Sequence, residues 1–528
     1  MSSMKQFVPI VVLILLCAEA MAQQSYQFIS RDHNREIAKH MASPESNLHG
    51  NVQPYLQSDL VQEMNPDSLR GASIFEWSNR MFLKSRVPEK GETRLRVFPM
   101  MQALAGGDLN NHHLRGTFET GAGVGLGADF GKRISVYADV MTQYGRYPLF
   151  LEQYMLDREV NPGKGYARWD GAGLASYDYN AYLSVSPADP FNIQLGVGKN
   201  FWGDGIRTLG LSDQATSYPF LKLTTSIWNI KYVNLFNAMY DIRDASGNYD
   251  RFALKWSSMH YLSWNITKRI NFSVWETVIW QNRDNDNFRG FDINYLNPVI
   301  FYRPVEFAQG SSDRVTLGST FSVKIGQSTK AYGQIAIDEF LLDSLRAGNG
   351  WFGNKQAFQV GIKSFDVLGI EGLDVQTEFS YIRPFFYLHP SVKQNHTHFN
   401  EPLAHVLGNN LHEWILQASY RKERMVFDAM LIVAQFGRNP DTLNLGADLW
   451  ISDQQQPRPA SGHRTGQGVQ HWLGSLMLRG SYVLDPHLGL RLEVTYLPRY
   501  LWVDGKANYT HFLQVGIRTA LWNRNRDF

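Results

Sequence analysis

Apolar and polar residues alternate with a period of two through most of the chain after about residue 94. In one such stretch, polar or small residues separate the apolar residues Val315, Leu317, Phe321, Val323 and Ile325. Successive side chains of an extended strand face opposite sides, so the pattern predicts a strand with one apolar and one polar face. The same alternation returns at residues 193–198, 358–363, 373–381, 488–495 and 514–521. A soluble β-sandwich also contains such strands, so alternation alone does not identify the fold.

The gaps between the predicted strands alternate between short and long. Short gaps fall near residues 131–132, 186–190, 228–229, 265–268, 326–328, 369–372, 421–422 and 485–486. Longer gaps fall near residues 105–113, 145–175, 203–217, 242–249, 284–313, 342–352, 389–410, 438–469 and 498–507. Outer-membrane barrels have tight periplasmic turns and longer outer loops. The pattern therefore predicts an all-β fold, a transmembrane antiparallel β-barrel of about 18 strands.

The start of the chain has the pattern of a secretory signal peptide. Lys5 precedes an apolar run from Phe7 to Cys17, and the small residues Ala20 and Ala22 follow it. We expect residues 1–22 to be cleaved off on export. A lipoprotein signal would have a small residue before the cysteine, and Leu16 stands there instead.

Residues 23–90 differ from the rest of the chain because they are polar and do not alternate. The apolar spacing is helical in 55–64 and 74–83. We predict a small helical region on the periplasmic side, with a flexible linker as the alternative, followed by the barrel at residues 91–528. The predicted location is the cell outer membrane, since no later segment reaches the run of about 18 apolar residues that a spanning helix needs.

Composition narrows the functional classes. The 51 Lys and Arg residues against 49 Asp and Glu argue against nucleic-acid binding, which needs a concentrated positive field. The single cysteine, Cys17, lies in the predicted signal, so we expect neither disulfides nor thiol catalysis in the mature protein. Aromatic residues are abundant, and we interpret a set at strand ends as a membrane-interface belt, with ordinary core packing as the alternative. This set is Trp228, Tyr232, Trp256, Trp264, Trp275, Trp280 and Trp450.

The predicted loops combine aromatic residues with Asp, Asn, Arg and His. Examples are residues 169–170, 200–204, 280–283, 302–303, 387–389 and 396–400. A sugar is held by an aromatic ring against its C–H face and by polar groups around its hydroxyls, so these loops suit a saccharide. Loops of this composition also cap barrels that bind no ligand, and the two readings are balanced on sequence alone.

Carboxylates and histidines raise the possibility of catalysis or metal binding. Asp338, Glu339 and Glu378 would be candidates for glycoside cleavage, but neighbours on a strand face opposite sides unless a bulge intervenes. We favour a charge ladder in the lumen, in which Arg303, Lys363, Arg383 and Arg491 offset Asp338, Asp374, Glu378 and Glu493. His396 and His398 have no acidic residue or cysteine at characteristic ligand spacing. We therefore expect no enzymatic activity, no metal and no cofactor.

Several ordered blocks resemble one family. They are Tyr295-Leu296-Asn297-Pro298 with residues 302–306, then Tyr332-Gly333-Gln334 with 338–340, then residues 350–355, and finally a stretch from Glu378 to Asn409. These blocks resemble the Wzi-like outer-membrane barrels of capsule assembly, a group that includes RemB-like gliding-motility proteins. The resemblance implies an eighteen-stranded barrel with a small periplasmic helical region, acting as a lectin for capsular polysaccharide.

The chain departs from the family pattern at two places. Val406 follows His405 where the pattern has proline, and Asn409-Asn410 follow Gly408 where it has Ala-Asn. The RemB-like branch is linked to surface motility, so the ligand need not be capsule.

Our leading hypothesis is a nonenzymatic lectin that binds polysaccharide and helps to assemble or anchor capsule at the cell surface. The candidate ligand-binding residues are Tyr302, Arg303, Glu306, Trp351, Asn354, Arg383, Tyr387 and His389. Expected partners are outer-membrane lipid and a capsular or other surface polysaccharide, with no nucleic acid. The alternatives are a passive porin or transport channel, and a gliding-motility or adhesion component that contacts other envelope proteins.

Overall fold

Eighteen antiparallel strands form one closed barrel in the computed structural model, which describes residues 24–84, 92–110, 113–243, 245–284, 287–297, 313–339 and 341–528. In chain order the wall strands are β1 (Thr93–Asn110), β2 (His113–Phe130), β3 (Ile134–Arg146), β4 (Leu174–Ala188), β5 (Phe191–Gly198), β6 (Tyr218–Ile227), β7 (Ile230–Asp241), β8 (Ala253–Asn265), β9 (Ile270–Gln281), β10 (Arg314–Ile325), β11 (Thr329–Glu339), β12 (Lys355–Ser364), β13 (Leu373–Ile382), β14 (Leu411–Lys422), β15 (Met425–Arg438), β16 (Val469–Asp485), β17 (Leu490–Val503) and β18 (Lys506–Thr519). The predicted fold class is confirmed.

The wall closes because the first strand pairs with the last. β1 pairs antiparallel with β2 on one side and with β18 on the other, from Gln102 opposite Arg518 to Asn110 opposite Thr510. Closure satisfies the backbone groups that an open sheet edge would leave unpaired, which a wall in lipid requires.

The wall is apolar outside and polar inside. On β12, Phe358, Val360 and Ile362 are exposed, whereas the intervening Gln359 is fully buried. The same inversion holds on β2, where Val124 and Leu126 are exposed and Asp129 is buried. A soluble sandwich turns its apolar face inward, so this arrangement is that of a membrane barrel.

The two ends of the barrel differ as predicted. At one end the strands are joined by short turns, and at the other by the long connections 147–173, 199–217, 242–252, 282–313, 340–354, 383–410 and 439–468. The predicted long loop at 498–507 is wrong, because β17 and β18 are joined by the two-residue turn Asp504-Gly505, with φ of +46° and +82°. Positive φ at both residues suits a tight hairpin.

The predicted loop at 105–113 is replaced in large part by β1 and β2. Both strands have 18 residues, more than the roughly 9–11 that cross a bilayer. Their polar ends therefore project beyond the apolar band and look like loop in the sequence.

Helices lie mainly before the barrel. They are α1 (Arg35–Ala42), α2 (Gln57–Leu60), α3 (Pro66–Leu69) and α4 (Glu76–Asn79), which continues into a π-helical turn at Arg80–Lys84; α5 (Leu149–Arg158) and α6 (Leu342–Arg346) lie in long loops. Helical spacing at 55–64 and 74–83 identified α2 and α4, whereas α1 was not predicted. None of the helices in the described part of the chain has both the length and the hydropathy of a spanning helix.

Residues 24–84, here the N-terminal cap, pack against the short-turn end. Lys324 Nζ donates to the carbonyls of Ser43 and Ser46 at 3.1 and 2.7 Å, and Arg35 pairs with Asp374 at 2.6 Å. These described residues are folded against the barrel rather than extended as a linker. The predicted signal peptide and the boundary at residues 90 and 91 lie outside the described residues and stay predictions.

Candidate functional site

Two long loops turn inward and fill the middle of the lumen. We call residues 199–217 and 383–410 the inner loops. Phe201-Trp202 pairs with Val52-Gln53 of the N-terminal cap, and the Gly203 N–H donates to the Asn51 carbonyl at 2.9 Å. A loop that starts at the long-loop end therefore meets the cap of the opposite end inside the barrel.

The inner loops carry an apolar core with them. Trp202, Leu209 and Leu211 of the first loop and residues 385–388 of the second are buried in one cluster with wall residues such as Trp275. The lumen of a wide barrel is normally polar and wet. Here an apolar core obstructs it.

Tyr387, a predicted ligand-binding residue, lies inside this core. Its hydroxyl donates to the Leu209 carbonyl at 2.9 Å, and its N–H donates to Asp338 Oδ2 at 2.8 Å. Its ring stacks on His396, with 5.1 Å between ring centroids and 14° between planes. Tyr387 therefore joins one inner loop to the other and to the wall, and it is 1% exposed.

Wall carboxylates hold the first inner loop. Glu378 accepts the N–H groups of Ile206 and Arg207 at 2.8 and 2.9 Å. The Arg207 guanidinium makes two 3.0 Å bonds to Glu413, one to each oxygen, and a third to Asp527 at 3.0 Å. These charges are buried, so each depends on its partner.

A third segment enters the lumen from the short-turn end. Residues 520–528, here the tail segment, follow β18 and run back into the barrel. Arg526 pairs with Glu119 of β2 at 2.8 Å, and Asn523 donates to Asp213 of an inner loop at 3.0 Å. Phe528 packs on Tyr154 of α5, with ring centroids 4.5 Å apart.

Glu401 fastens three long connections together. Its two oxygens accept the N–H groups of Gly163 and Thr216 at 2.7 and 2.8 Å. Lys199 Nζ donates to the Gly163 carbonyl at 2.6 Å. Burial raises the pKa of Glu401 to about 8 and lowers that of Lys199.

The loop histidines His396 and His398 contact different backbone groups. His396 Nε2 lies 2.6 Å from the Gly210 carbonyl, and His398 Nδ1 accepts the Tyr240 N–H at 3.0 Å. Burial lowers the pKa of both rings to about 3, so both are neutral at physiological pH. The described residues contain no cluster of three or more metal-ligating side chains.

The candidate catalytic carboxylates Asp338, Glu339 and Glu378 are each engaged by other groups of the protein. A bulge lies between Ile337 and Glu339, yet Asp338 is buried against Arg314 at 2.6 Å while Glu339 is half exposed, 3.3 Å from Lys355. Glu378 is occupied by loop N–H groups, as described above. Each carboxylate therefore has a structural partner.

Aromatic and cationic side chains gather at the long-loop end. We call Trp351, Phe352, Arg383, Phe385, Arg458 and His463 the outer aromatic cluster. Ring centroids are 5.4 Å apart for Trp351 and Phe352, and 5.6 Å apart for Phe352 and Phe385. The Arg458 guanidinium lies 3.4 Å from the Phe352 ring centroid, within cation–π range.

Backbone hydrogen bonds between two long loops support the outer aromatic cluster. Gly462 and His463 donate to the carbonyls of Asn349 and Gly350 at 2.8 and 2.9 Å, and the Phe352 N–H donates to the Ala460 carbonyl at 3.2 Å. Residues 349–352 and 460–463 therefore form a hydrogen-bonded platform. Trp351, Phe352, Arg383 and Arg458 are half-buried on it, so each is partly accessible from the surface, whereas Nε of Arg383 and both Nε and Nη1 of Arg458 are buried without a protein hydrogen-bond partner.

The candidate residues divide between this surface and the interior. Trp351 and Arg383 belong to the outer aromatic cluster, and Arg383 Nε has no protein hydrogen-bond partner. Asn354 is buried below it and accepts the Leu341 N–H at 2.9 Å. His389 is half-buried, its Nδ1 accepts the Ser391 N–H at 3.1 Å, and burial lowers its pKa to about 4.

The remaining candidates, Tyr302, Arg303 and Glu306, lie outside the described residues. Sequence reasoning missed Phe352, Arg458 and His463. Phe352 could have been found because it follows Trp351, a predicted site residue, in the sequence. Arg458 and His463 lie in a polar loop that contains no motif.

Comparison with solved structures places this barrel among outer-membrane barrels. Escherichia coli Wzi, described as an outer membrane protein involved in group 1 capsule assembly and a carbohydrate binding β-barrel, superposes with a TM-score of 0.54 at 13% identity. The match covers 93% of this chain and 99% of Wzi. The fold is Wzi-like. The family resemblance seen in the sequence blocks is thereby confirmed at the level of the fold.

Two porin structures are also similar. Pseudomonas aeruginosa OprD gives a TM-score of 0.41 at 9% identity, over 81% of this chain and 95% of its own. P. aeruginosa OccK8 gives 0.43 at 10% identity, over 81% of this chain and 98% of its own. No protein-family model matches the chain, and no curated protein matches its sequence.

Proposed function

We propose that this protein is a nonenzymatic outer-membrane lectin that binds polysaccharide at its outer aromatic cluster and helps to assemble or anchor capsule at the cell surface. The observation that carries the proposal is the cluster itself, an aromatic and arginine platform at the long-loop end in which Trp351, Phe352, Arg383 and Arg458 are partly exposed. A sugar ring stacks on such rings, while guanidinium groups hydrogen-bond to hydroxyl or carboxylate groups. The description of Wzi as a carbohydrate-binding barrel supports this proposal.

The filled lumen favours a binding role over passive diffusion. Two inner loops and the tail segment occupy the space through which a solute would pass. A porin of comparable strand number instead leaves an aqueous channel.

The proposal is tested with purified full-length protein in detergent. A glycan array identifies a bound polysaccharide, and its affinity is then measured for Trp351→Ala/Arg383→Ala. Loss of one ring contact and one charge-assisted hydrogen bond is worth about 2–4 kcal/mol, so we expect affinity to fall about 30- to 1,000-fold.

The matched control is Trp228→Ala/Arg80→Ala. It removes the same two residue types, and both side chains are solvent-exposed, Trp228 in a short turn and Arg80 in the N-terminal cap. Parent-like binding by the Trp351/Arg383 variant would refute the proposal. Large stable openings of the parent in a planar bilayer would favour a porin, and copurifying envelope proteins without glycan binding would favour an adhesion or motility component.

A further inference from the structure

A chamber of about 140 Å³ lies in the lumen, apart from the outer aromatic cluster. The tail segment and strands β14 to β18 form most of its wall, with Glu119 contributed by β2. Phe150, Leu151 and Phe512 line an apolar part. We call this space the lumenal chamber.

Arginine dominates the polar lining of the chamber. Six arginines face four carboxylates, which leaves two positive charges in excess. The arginines are Arg31, Arg479, Arg491, Arg518, Arg524 and Arg526, and the carboxylates are Asp32, Glu119, Glu493 and Asp527. Burying a charge without a full partner is costly, so an excess of this kind calls for a counter-ion.

The carboxylates are shared among several arginines. Glu493 lies 2.8 Å from Arg518, 3.8 Å from Arg491 and 4.0 Å from Arg524. Asp32 lies 2.8 Å from both Arg479 and Arg491. The Arg491 side chain is 6% exposed, and its Nε–H makes no hydrogen bond. Glu493 Oε2 and Asp527 Oδ1 also make no hydrogen bond, so the imbalance around the chamber is one of charge, with more guanidinium groups than carboxylates.

Three of the chamber charges also pair with groups outside it. Asp527 pairs with Arg207 at 3.0 Å, Arg479 pairs with Asp428 at 2.8 Å, and Asp32 lies 3.9 Å from Arg421. Arg207 pairs in turn with Glu413. These outside groups are two arginines and two carboxylates, so they leave the excess of two unchanged.

We propose that the lumenal chamber binds a small oxyanion of the phosphate, sulfate or carboxylate class. A guanidinium group presents its N–H donors in a fork that matches such anions. The volume exceeds the roughly 30 Å³ that one water occupies in the liquid, so the chamber has room for an oxyanion. The three arginines that share Glu493, which are Arg491, Arg518 and Arg524, would supply donors to the oxyanion.

The anion enters from the short-turn end. A larger cavity of about 770 Å³ lies between α1 and the turns of that end, and it shares Asp32 and Arg491 with the chamber. Exposed residues such as Lys422 and Glu423 form part of its rim. The route is therefore separate from the long-loop end, and the oxyanion proposal can fail while the lectin proposal stands.

Isothermal titration calorimetry of the full chain in detergent tests the proposal, with inorganic phosphate and glucuronate as probes at constant ionic strength. We expect the parent to bind at least one probe saturably. Arg518→Met removes a donor from the chamber and should weaken binding at least tenfold. Arg80→Met, in an exposed ion pair of the N-terminal cap, should bind like the parent.

Glu493→Gln makes the test independent of a folding defect. It removes the carboxylate that competes with the oxyanion for three arginines, so affinity should rise about tenfold. A misfolded protein cannot show this gain. Absence of binding of both probes by the parent would overturn the proposal, and so would parent-like affinities in both Arg518→Met and Glu493→Gln.

Discussion

Removing the Arg207 side chain should unseat the first inner loop. In the parent, Arg207 joins this loop to Glu413 of the wall and to Asp527 of the tail segment by three bonds of 3.0 Å. His405 of the second inner loop also lies 2.9 Å from Glu413. Arg207→Ala therefore leaves two carboxylates without their cation at the point where loops, tail and wall meet.

The burial of these groups sets the size of the effect. The Arg207 and Glu413 side chains are 5% and 1% exposed, so solvent does not screen or replace the lost pair. Removing one partner of a buried ion pair costs about 3–5 kcal/mol. At about 1.4 kcal/mol per factor of ten, the population ratio of displaced to seated loop rises about 150- to 5,000-fold.

Single-channel recording in a planar bilayer measures the outcome. We expect a closed parent, and frequent openings in Arg207→Ala because the displaced loop no longer obstructs the lumen. Glu413→Gln keeps hydrogen-bonding groups at the wall, so this variant should open less often than Arg207→Ala. Arg80→Ala is the control, since Arg80 pairs with Glu76 at 3.4 Å in a solvent-exposed pair worth at most about 1 kcal/mol.

The reasoning is refuted if folded Arg207→Ala stays as closed as the parent. That result would mean that the apolar core and the two N–H bonds to Glu378 hold the inner loop without the ion pair. Heat-modifiable gel migration confirms that each variant contains an intact barrel before the recording is interpreted.

Three further predictions concern the packing of the lumen. Folding lowers the pKa of His396 and His398 from 6.5 to about 3, so the stability that depends on their neutral form is complete above pH 6.5 and is lost as pH falls toward 3. At pH 5 each histidine should lower the free energy of unfolding by about 2 kcal/mol relative to neutral pH. Limited proteolysis should therefore cut residues 383–410 faster at pH 5 than at pH 7.5. Equal cleavage at the two values would contradict this. Glu401→Gln leaves one of two loop N–H groups without an oxygen acceptor and should lower the free energy of unfolding by about 1–3 kcal/mol. Urea denaturation measures this change, and an unchanged midpoint would contradict it. In Gly318→Ala the new methyl group would collide with the Trp275 ring and should lower the free energy of unfolding by about 1–3 kcal/mol. Gly474→Ala is the matched control, because the space around its Cβ position is open. Equal urea midpoints for the two variants would contradict the described packing around Trp275.

The wall of the barrel was predictable because lipid and lumen impose opposite demands on neighbouring residues. Phe358, Val360 and Ile362 had to be apolar, and Gln359 had to be polar, whatever the rest of the chain did. The short turns followed from the same pattern. Polar strand ends beyond the apolar band were the exception, which is why β17 was predicted to end too early.

Aromatic residues show where strand pattern stops being informative. Trp228 and Trp264 are exposed near the short-turn end, as an interface belt requires, whereas Trp275 is 1% exposed inside the lumen. Trp280 faces the opposite side of the same strand and is 0% exposed, because Phe291 and Tyr295 of a long loop pack over it. Neither ring therefore belongs to an exposed belt. Loops from other parts of the chain cover both rings, and local alternation carries no record of that contact.

The ion pairs of the lumen could not be predicted from the sequence for the same reason. The proposed ladder matched wall residues with each other, yet Asp374 pairs with Arg35 of the N-terminal cap and Arg491 pairs with Asp32. Arg303 lies outside the described residues, and among the described members of the ladder only Arg491 and Glu493 approach each other, at 3.8 Å. A lumen that is filled by three separate segments takes its counter-charges from those segments rather than from neighbouring strands.

The second inner loop connects the candidate binding surface to the interior. Arg383 reaches the surface at the start of the loop, Phe385 packs against Phe352 and His463 of the outer aromatic cluster, and Tyr387 lies two residues further inside the core. The cluster is therefore the outer end of the packing that obstructs the lumen, not a patch on a mobile loop. Rigid placement lowers the entropy lost when a ligand binds, so the same inward folding that obstructs this barrel would also favour binding of the proposed saccharide at its surface.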